Sequence, residues 1–364
     1  KEDYVETGTP IVTVEHLGNR VFTEQNLPRV SDSDKARLIK YTLSTGDIVF
    51  SRVGSVDRCS YVDKSHDGWM FSGRCLRVRP TELVDSLYLY YYFCLEETKQ
   101  FVRNIAVGAT MPSINTKLLG EVEIALPDLN NQKRIAAVLS SLDDKIENNQ
   151  KLNDNLEQQA AALFSSLYNR SNTEVRYTDL IQILGGGTPK TGETAYWNGN
   201  IAFFTPKDVG TPYTFITEKT ITEEGLSHCN SRLYPVNTVF VTARGTVGKV
   251  GLSGVPMAMN QSCYALVGKE THQLLVYFYT LKAVDRLKHK ASGAVFDAIT
   301  TRDFDSEQIM KLSDDDAKAF LCVAEPMFQE ILNNSIENLR LSTLRDFLLP
   351  KLMSGEIDVS SVQL

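Results

Sequence analysis

Apolar and polar positions along the chain divide it into two similar stretches. Each is a series of short β-like runs that closes in one long helical pattern. Residues 47–51 and 75–78, and later 201–205, 238–242 and 263–267, are apolar runs bounded by turn residues, which predicts strands. Helical spacing follows at 86–104 and 272–290, then a glycine-containing loop at 107–115 and 292–300. In the first long helix, apolar side chains recur at Ile135, Leu139, Leu142, Ile146, Leu156, Leu163 and Leu167. The same 4-3 spacing passes through Asn149, Asn153 and Ala160. The second seam reads Ile331, Asn334, Asn338, Leu341, Arg345, Leu348 and Leu352. Heptad spacing sustained this far predicts helix against helix, and a polar seam residue lowers stability while fixing register. A helix of about 33 residues spans roughly 50 Å. Antiparallel pairing of two such helices within the chain predicts α+β units at opposite ends, with approximate two-fold symmetry.

The two stretches are copies of one another. GDIVFSRVGSVDR at 46–58 aligns with NTVFVTARGTVGK at 237–249, an offset of 191. It pairs Ser51 with Thr242, Gly54 with Gly245, Ser55 with Thr246 and Arg58 with Lys249. The same offset pairs residues 8–12 with 199–203. Further on the offset is 185. It pairs Gly108-Ala109 with Gly293-Ala294, Ile114 with Ile299, and Asn148-Asn149 with Asn333-Asn334. Loop insertions produce such a drift. The second copy has about 20 residues, 177–197, without a counterpart before Gly8, so the first copy is expected to lack its own beginning. The boundaries read as 1–130 for the first copy, 131–170 for its helix, 171–314 for the second copy and 315–364 for the last helix.

Composition narrows the function. The chain of 364 residues is 42% hydrophobic and carries a net charge of −7. That balance argues against non-specific coating of nucleic acid. Any DNA contact must come from local patches, with help from a partner. No apolar run approaches the roughly 18 residues of a membrane span. The six cysteines form no C-x-x-C pair, and the five histidines form no ligand pattern. Gly185-Gly186-Gly187-Thr188-Pro189-Lys190-Thr191 fails as a phosphate-binding P-loop, because Pro189 stands where glycine must precede the lysine. No methyltransferase tetrapeptide and no dinucleotide-binding loop is present. The run Asp314-Asp315-Asp316 reads as a helix start.

Polar loops remain, and they suit DNA. Arg52, Ser55 and Arg58 in the first copy stand near the places of Arg244, Thr246 and Lys249 in the second. An arginine on a short turn can reach a guanine edge or a phosphate. Asn260-Gln261 offers amides where the first copy has Ser72-Gly73, followed by Arg74. Lys190 and Thr191 on the glycine loop, Tyr196 after it, Lys207, and Ser113 and Asn115 in the 107–115 loop complete the candidate surface.

The chain resembles the specificity subunits of type I restriction–modification systems. The resemblance rests on GGGTPKT…YWNGNI…FFTPKDV at 185–209, ARGTVGKVG at 243–251, the helix ALPDLNNQKRIAAVLSSLDDKIENNQKLNDNLEQQAAALF at 125–164 and LRDFLLPKLMSGEIDV at 344–359. With the repeat it covers essentially the whole chain. It implies two target recognition domains of mixed α+β fold, joined by two long helices in an antiparallel coiled coil. Each domain would read one part of a split, asymmetric double-stranded DNA target, with the helices as a ruler for the spacer. It implies no catalytic residue here. Two methyltransferase subunits would dock on the helices, and restriction subunits join where the system also cleaves. S-adenosylmethionine, ATP and magnesium would belong to those partners, and the setting would be the cytoplasm of a bacterium or archaeon. The first copy departs from the pattern in lacking the GGGTPKT-like opening, and Asp57 stands where the second copy has Gly248.

Overall fold

The computed structural model describes residues 4–290 and 298–362. The Gly293-Ala294 match and the start of the 292–300 loop lie outside them. The chain forms two compact units, Lys1–Glu147 with Leu339–Leu364, and Asn148–Asn338. Each long helix therefore contributes one part to each unit.

In the first unit the predicted strand at 47–51 appears as Ile48–Ser51, buried throughout. It pairs antiparallel with Cys59–Tyr61 and Cys75–Val78. A second small sheet sets Thr9–Val12 antiparallel to Arg29–Val30 and parallel to Met70–Phe71. The expected helix at 86–104 is two helices, Ser86–Cys94 and Glu96–Ile105, broken at the extended Leu95. The first of these is buried at Tyr88, Leu89, Tyr90, Tyr91 and Phe93. The second buries only Thr98 and Val102. One straight amphipathic helix could not satisfy both patterns.

The second unit repeats the frame. Val239–Thr242 pairs antiparallel with Val250–Ser253 and Cys263–Gly268. Trp197–Phe204 pairs antiparallel with Lys219–Ile221 and parallel with Met257–Met259. The additional strand Ile181–Gly185 extends the first of these sheets along Cys263–Gly268.

Equivalent hydrogen bonds establish the repeat residue by residue. The Ser51 amide donates to the Arg58 carbonyl at 2.9 Å, and the Thr242 amide to that of Lys249 at 2.9 Å. Arg52 donates to Arg74 at 2.9 Å as Ala243 does to Ser262 at 2.8 Å. Ile114 donates to Arg52 at 3.0 Å as Ile299 does to Ala243 at 2.9 Å. Ser72 donates to Val12 at 2.8 Å as Asn260 does to Phe204 at 3.0 Å. Val12 thus corresponds to Phe204, one residue beyond the match expected from the 191 offset. The equivalent bonds from Ser72 and Asn260 decide this register, since Phe203 and Phe204 are both buried and burial does not distinguish them.

The central helix runs Leu129–Arg170, about 63 Å at 1.5 Å per residue. Asp128 caps its start by accepting from the amides of Asn130 and Asn131 at 3.0 and 3.1 Å. The last helix runs Asp314–Met353, with Ser313 accepting from the Asp316 amide at 3.1 Å. It ends well short of 364. Gly355, at φ +78°, takes the left-handed conformation that closes helices, and Val359 packs back into the first unit's core.

The asparagines of the seam bond to one another across the helices. In the second unit Asn149 Nδ2 donates to Asn338 Oδ1 at 2.9 Å and to Glu337 Oε2 at 2.7 Å. Asn334 Nδ2 donates to Asn153 Oδ1 at 2.9 Å, and Asn153 Nδ2 to Ser335 Oγ at 3.4 Å. Rising numbers on one helix meet falling numbers on the other, so the pairing is antiparallel. Ile331 is buried there, with Leu156 and Leu163 packed half-exposed at its edge. Phe164, next to Leu163, carries more of the core. Its ring lies 5.0 Å from that of Phe278 and 5.4 Å from that of Phe320. In the first unit Ile135 and Leu139 share a core with Leu349 and Leu352, with Leu348 packed against it. Ile146 and Leu341 are half-buried.

Candidate nucleic-acid interface

In the first unit three chain segments converge where strand Ile48–Ser51 ends. Arg52 is held on both sides, its amide on the Arg74 carbonyl and its carbonyl by the Ile114 amide. Its neighbour Gly54, at φ +78°, turns the chain and donates to Pro112 at 2.8 Å. Arg52, Arg74, Ser113 and Asn115 consequently line one depression of about 550 Å³. Arg52 Nη1 rests 3.4 Å from the Gly73 carbonyl. The Arg74 guanidinium is exposed and makes no hydrogen bond or ion pair among the described residues. Asn115 Oδ1 accepts from the Leu118 amide at 3.0 Å as a helix cap, which leaves its Nδ2 to donate outward. Ser113 Oγ donates to the Val107 carbonyl at 3.2 Å. Ser55 is exposed at the turn tip and does not line the depression. Arg58 departs from this group and lines a separate cleft of about 1000 Å³ with Tyr90, Cys59 and Lys99. Asp57, where the second copy has Gly248, is held by Arg103 at 2.5 Å.

In the second unit the glycine run is a close-packing device. A Cβ on Gly186 would fall 2.2 Å from the Asn260 carbonyl oxygen, and one on Gly187 would fall 2.6 Å from the Asn230 amide nitrogen. The Gly187 amide donates to Met259 at 3.1 Å, and Thr188 Oγ1 donates to Gln261 Oε1. The loop bearing Lys190 and Thr191 is thereby fixed beside Asn260-Gln261, although some 70 residues separate them in the chain. Trp197 Nε1 donates to the Lys190 carbonyl at 3.2 Å, anchoring the far side. Lys190, Thr191 and Gln261 are exposed. Asn260 Oδ1 instead holds its own turn, accepting from Ser262 at 3.0 Å. Tyr196 is half-buried, its ring stacked on His228 at 4.9 Å and 17°.

A second group lies around the turn after Val239–Thr242. Arg244 is exposed, and its side chain makes no hydrogen bond or ion pair among the described residues. Thr246 Oγ1 donates to the Pro206 carbonyl at 3.2 Å, tying this turn to the loop of Lys207. Lys207 Nζ stands 3.3 Å from Glu218. Asp208, beside it, is spent on structure, accepting from the amides of Thr205 and Glu218, each at 2.8 Å. Lys249 is exposed. Sequence reasoning missed residues 228–232, which pack against the glycine run. The signal was the third glycine, which requires a backbone close by.

These are two copies of one scaffold carrying arginine, lysine and amide groups on exposed loops. The family model for the type I restriction modification DNA specificity domain matches residues 1–158 and 169–311. The chain belongs to this family. It is 24% identical to the HindI specificity subunit of Haemophilus influenzae, over 87% of this chain and 88% of that one. It is 26% identical to the MjaIX specificity subunit of Methanocaldococcus jannaschii, over 78% and 72%. Its fold is similar to that of the crystal structure of the type I restriction–modification S subunit from M. genitalium. That match has a TM-score of 0.60 at 18% identity and covers 97% of this chain and 90% of that one. As a specificity subunit the chain serves DNA target recognition and is not itself an enzyme. No helix among its described residues is long and apolar enough to cross a membrane.

Proposed function

We propose that this specificity subunit reads a split, asymmetric DNA target, one half with each target recognition domain. The observation that supports this reading is the pattern of sameness and difference between the units. The hydrogen bonds holding the loops are equivalent, while the side chains they present differ. Arg52 corresponds to Ala243, Arg74 to Ser262, and Val53 to Arg244. A shared scaffold with different donors reads different bases. In the first domain Arg52 and Arg74 reach base edges or phosphates, with Ser113 and Asn115 beside them and Ser55 and Arg58 on the flank. In the second, Lys190 and Thr191 meet phosphates, and Arg244, Asn260 and Gln261 meet bases. Tyr196, Lys207, Thr246 and Lys249 frame that surface.

The paired helices set the spacing of the half-sites and carry the docking surface for two methyltransferase subunits, which the chain directs to the target. Restriction subunits join where the system cleaves. S-adenosylmethionine, ATP and magnesium act on those partners, in the cytoplasm. The net charge of −7 accords with a chain that grips DNA only once assembled.

The test is an exchange of residues 171–314 for the corresponding domain of another specificity subunit, followed by methylation mapping of host DNA. The expected result is a new motif in one half of the target, with the other half and the spacing kept. Change in both halves would end the independent-domain reading. Methylation that persists without this chain would end the specificity role altogether.

A further inference from the structure

Residues 228–232 belong to no candidate surface described so far, yet the second unit builds them into one. The Asn230 backbone lies against Gly187 so closely that no side chain fits between them. Ser231, buried, accepts from the Met259 amide at 2.9 Å, which fastens the segment to the turn that carries Gln261. Tyr234 Oη donates to the Gly185 carbonyl at 3.5 Å, and Arg232 lies near enough for its charge to act on that phenol. His228 stacks on Tyr196. Three chain segments are thus held in one ridge by the Asn230–Gly187 backbone approach, the Ser231 and Tyr234 hydroxyls and the His228–Tyr196 stack. Asn230 and Arg232 are exposed on it, and their side chains make no hydrogen bond or ion pair with one another or with any other described residue. Nothing in the packing accounts for a neutral amide and a guanidinium kept exposed here, alongside Lys190 and Gln261.

We propose that Asn230 and Arg232 are DNA contacts of the second target recognition domain. Asn230 reads a base edge, and Arg232 binds the phosphate backbone beside Lys190. This rests on the reading of the second unit as a DNA-binding head. The chemistry divides the roles. An amide side chain supplies the paired donor and acceptor that adenine matches. An arginine beside a lysine adds charge that any phosphate backbone attracts.

The test uses the full chain assembled with the methyltransferase subunit of its own operon. The probes are a duplex carrying the mapped target and a scrambled duplex of equal length. Asn230→Ala should weaken binding to the target by about 5- to 150-fold, and relax preference at one base pair of the half-site lost in the domain exchange. Arg232→Ala should weaken binding to both duplexes alike and lower the salt slope by about one. Arg244→Ala serves as the reference. If both variants bind as wild type while Arg244→Ala does not, the ridge proposal is wrong and the DNA-binding head stands. If none of the three changes binding, the reading of this unit falls with the proposal. A relaxed base pair in the other half-site would also overturn it.

Discussion

Arg345 on the last helix and Asp143 on the central helix form an ion pair within the first unit, and its removal tests how the helices are joined. Arg345 Nη1 donates to Asp143 Oδ1 at 2.6 Å, while Tyr91 Oη donates to Asp143 Oδ2 at 2.6 Å. The Asp143 side chain is 8% exposed and that of Arg345 27%. Burial works against the Arg345 charge, but the hydrogen bonds and charges of Asp143 and Asp346 together outweigh it and raise the guanidinium pKa above its usual value. Arg345→Ala would leave a carboxylate almost without water, holding one neutral hydrogen bond. Breaking a buried pair from one side costs about 3–5 kcal/mol. The partial exposure of the arginine puts this variant at the lower end, about 3 kcal/mol.

The repeat supplies its own control. The 185 offset pairs Asp143 with Phe328 and Arg345 with Ala160, both buried in the second unit, where Phe328 packs 5.7 Å from Tyr277. The double change Asp143→Phe with Arg345→Ala should therefore recover most of the loss. The two tryptophans make the assay simple, because Trp69 lies in the first unit and Trp197 in the second. In a Trp197→Phe background, urea unfolding followed by fluorescence reports the first unit alone. For a slope of about 2–3 kcal/mol per molar urea, the single variant should lower the midpoint by about 1–1.5 M. A midpoint unchanged by Arg345→Ala, or a double variant as unstable as the summed single changes, would refute the argument.

Burial raises the Glu157 pKa despite the hydrogen bond it accepts from Tyr277 at 3.0 Å. The folded state therefore holds this proton more tightly than the unfolded chain does, and the second unit should lose stability as pH rises from the ordinary carboxylate range through the raised value. Glu157→Gln should flatten that slope in thermal melts taken from pH 4 to 7, and an unchanged slope would locate the proton elsewhere. Gly186→Ala should cost about 1–3 kcal/mol, because its new methyl meets the Asn260 carbonyl and overpacking forces the backbone aside; a melt indistinguishable from wild type would show the approach to be looser. Asn334→Leu should destabilise the second unit by about 1–3 kcal/mol by stranding Asn153, whereas changing both to Leu should be nearly neutral in the same melts. Arg244→Ala should weaken target binding by about 1–3 kcal/mol, measured by titration of the assembled complex, and unaltered affinity and preference would remove Arg244 from the surface.

Much of this architecture was legible because it is local or repeated. Short β-branched runs between turns became strands, and the aspartates at 314–316 became the first turn of a helix, although the cap itself is Ser313. What escaped depends on segments far apart in the chain. Phe164 looked like a neighbour of the seam residue Leu163, and only the arrival of Phe278 and Phe320 makes it a core residue. Arg58 shared its repeat position with Lys249 yet lines a different cleft from Arg52, since strand alternation sends nearby residues to different faces. Leu95 breaks a helix that periodicity alone would continue. The glycine run was visible, but what its glycines avoid, the backbones at Asn260 and Asn230, was not.

On the proposed function, the division between frame and loop surface would let one fold serve two halves of a target. The equivalent bonds that hold the loops at Arg52 and Ala243 are made by backbone atoms, so they are indifferent to the side chain between them. Arg52 can become alanine, or Arg74 serine, without disturbing the loops that the next residue depends on. The seam follows the opposite rule. Asn149, Asn153, Asn334 and Asn338 bond through their side chains, so changing one strands another. Variation is therefore inexpensive at the loop ends and costly along the helices. On that proposal, substitutions at the loop ends would redirect each domain separately, while the seam would hold the helix register, and with it the spacing, constant.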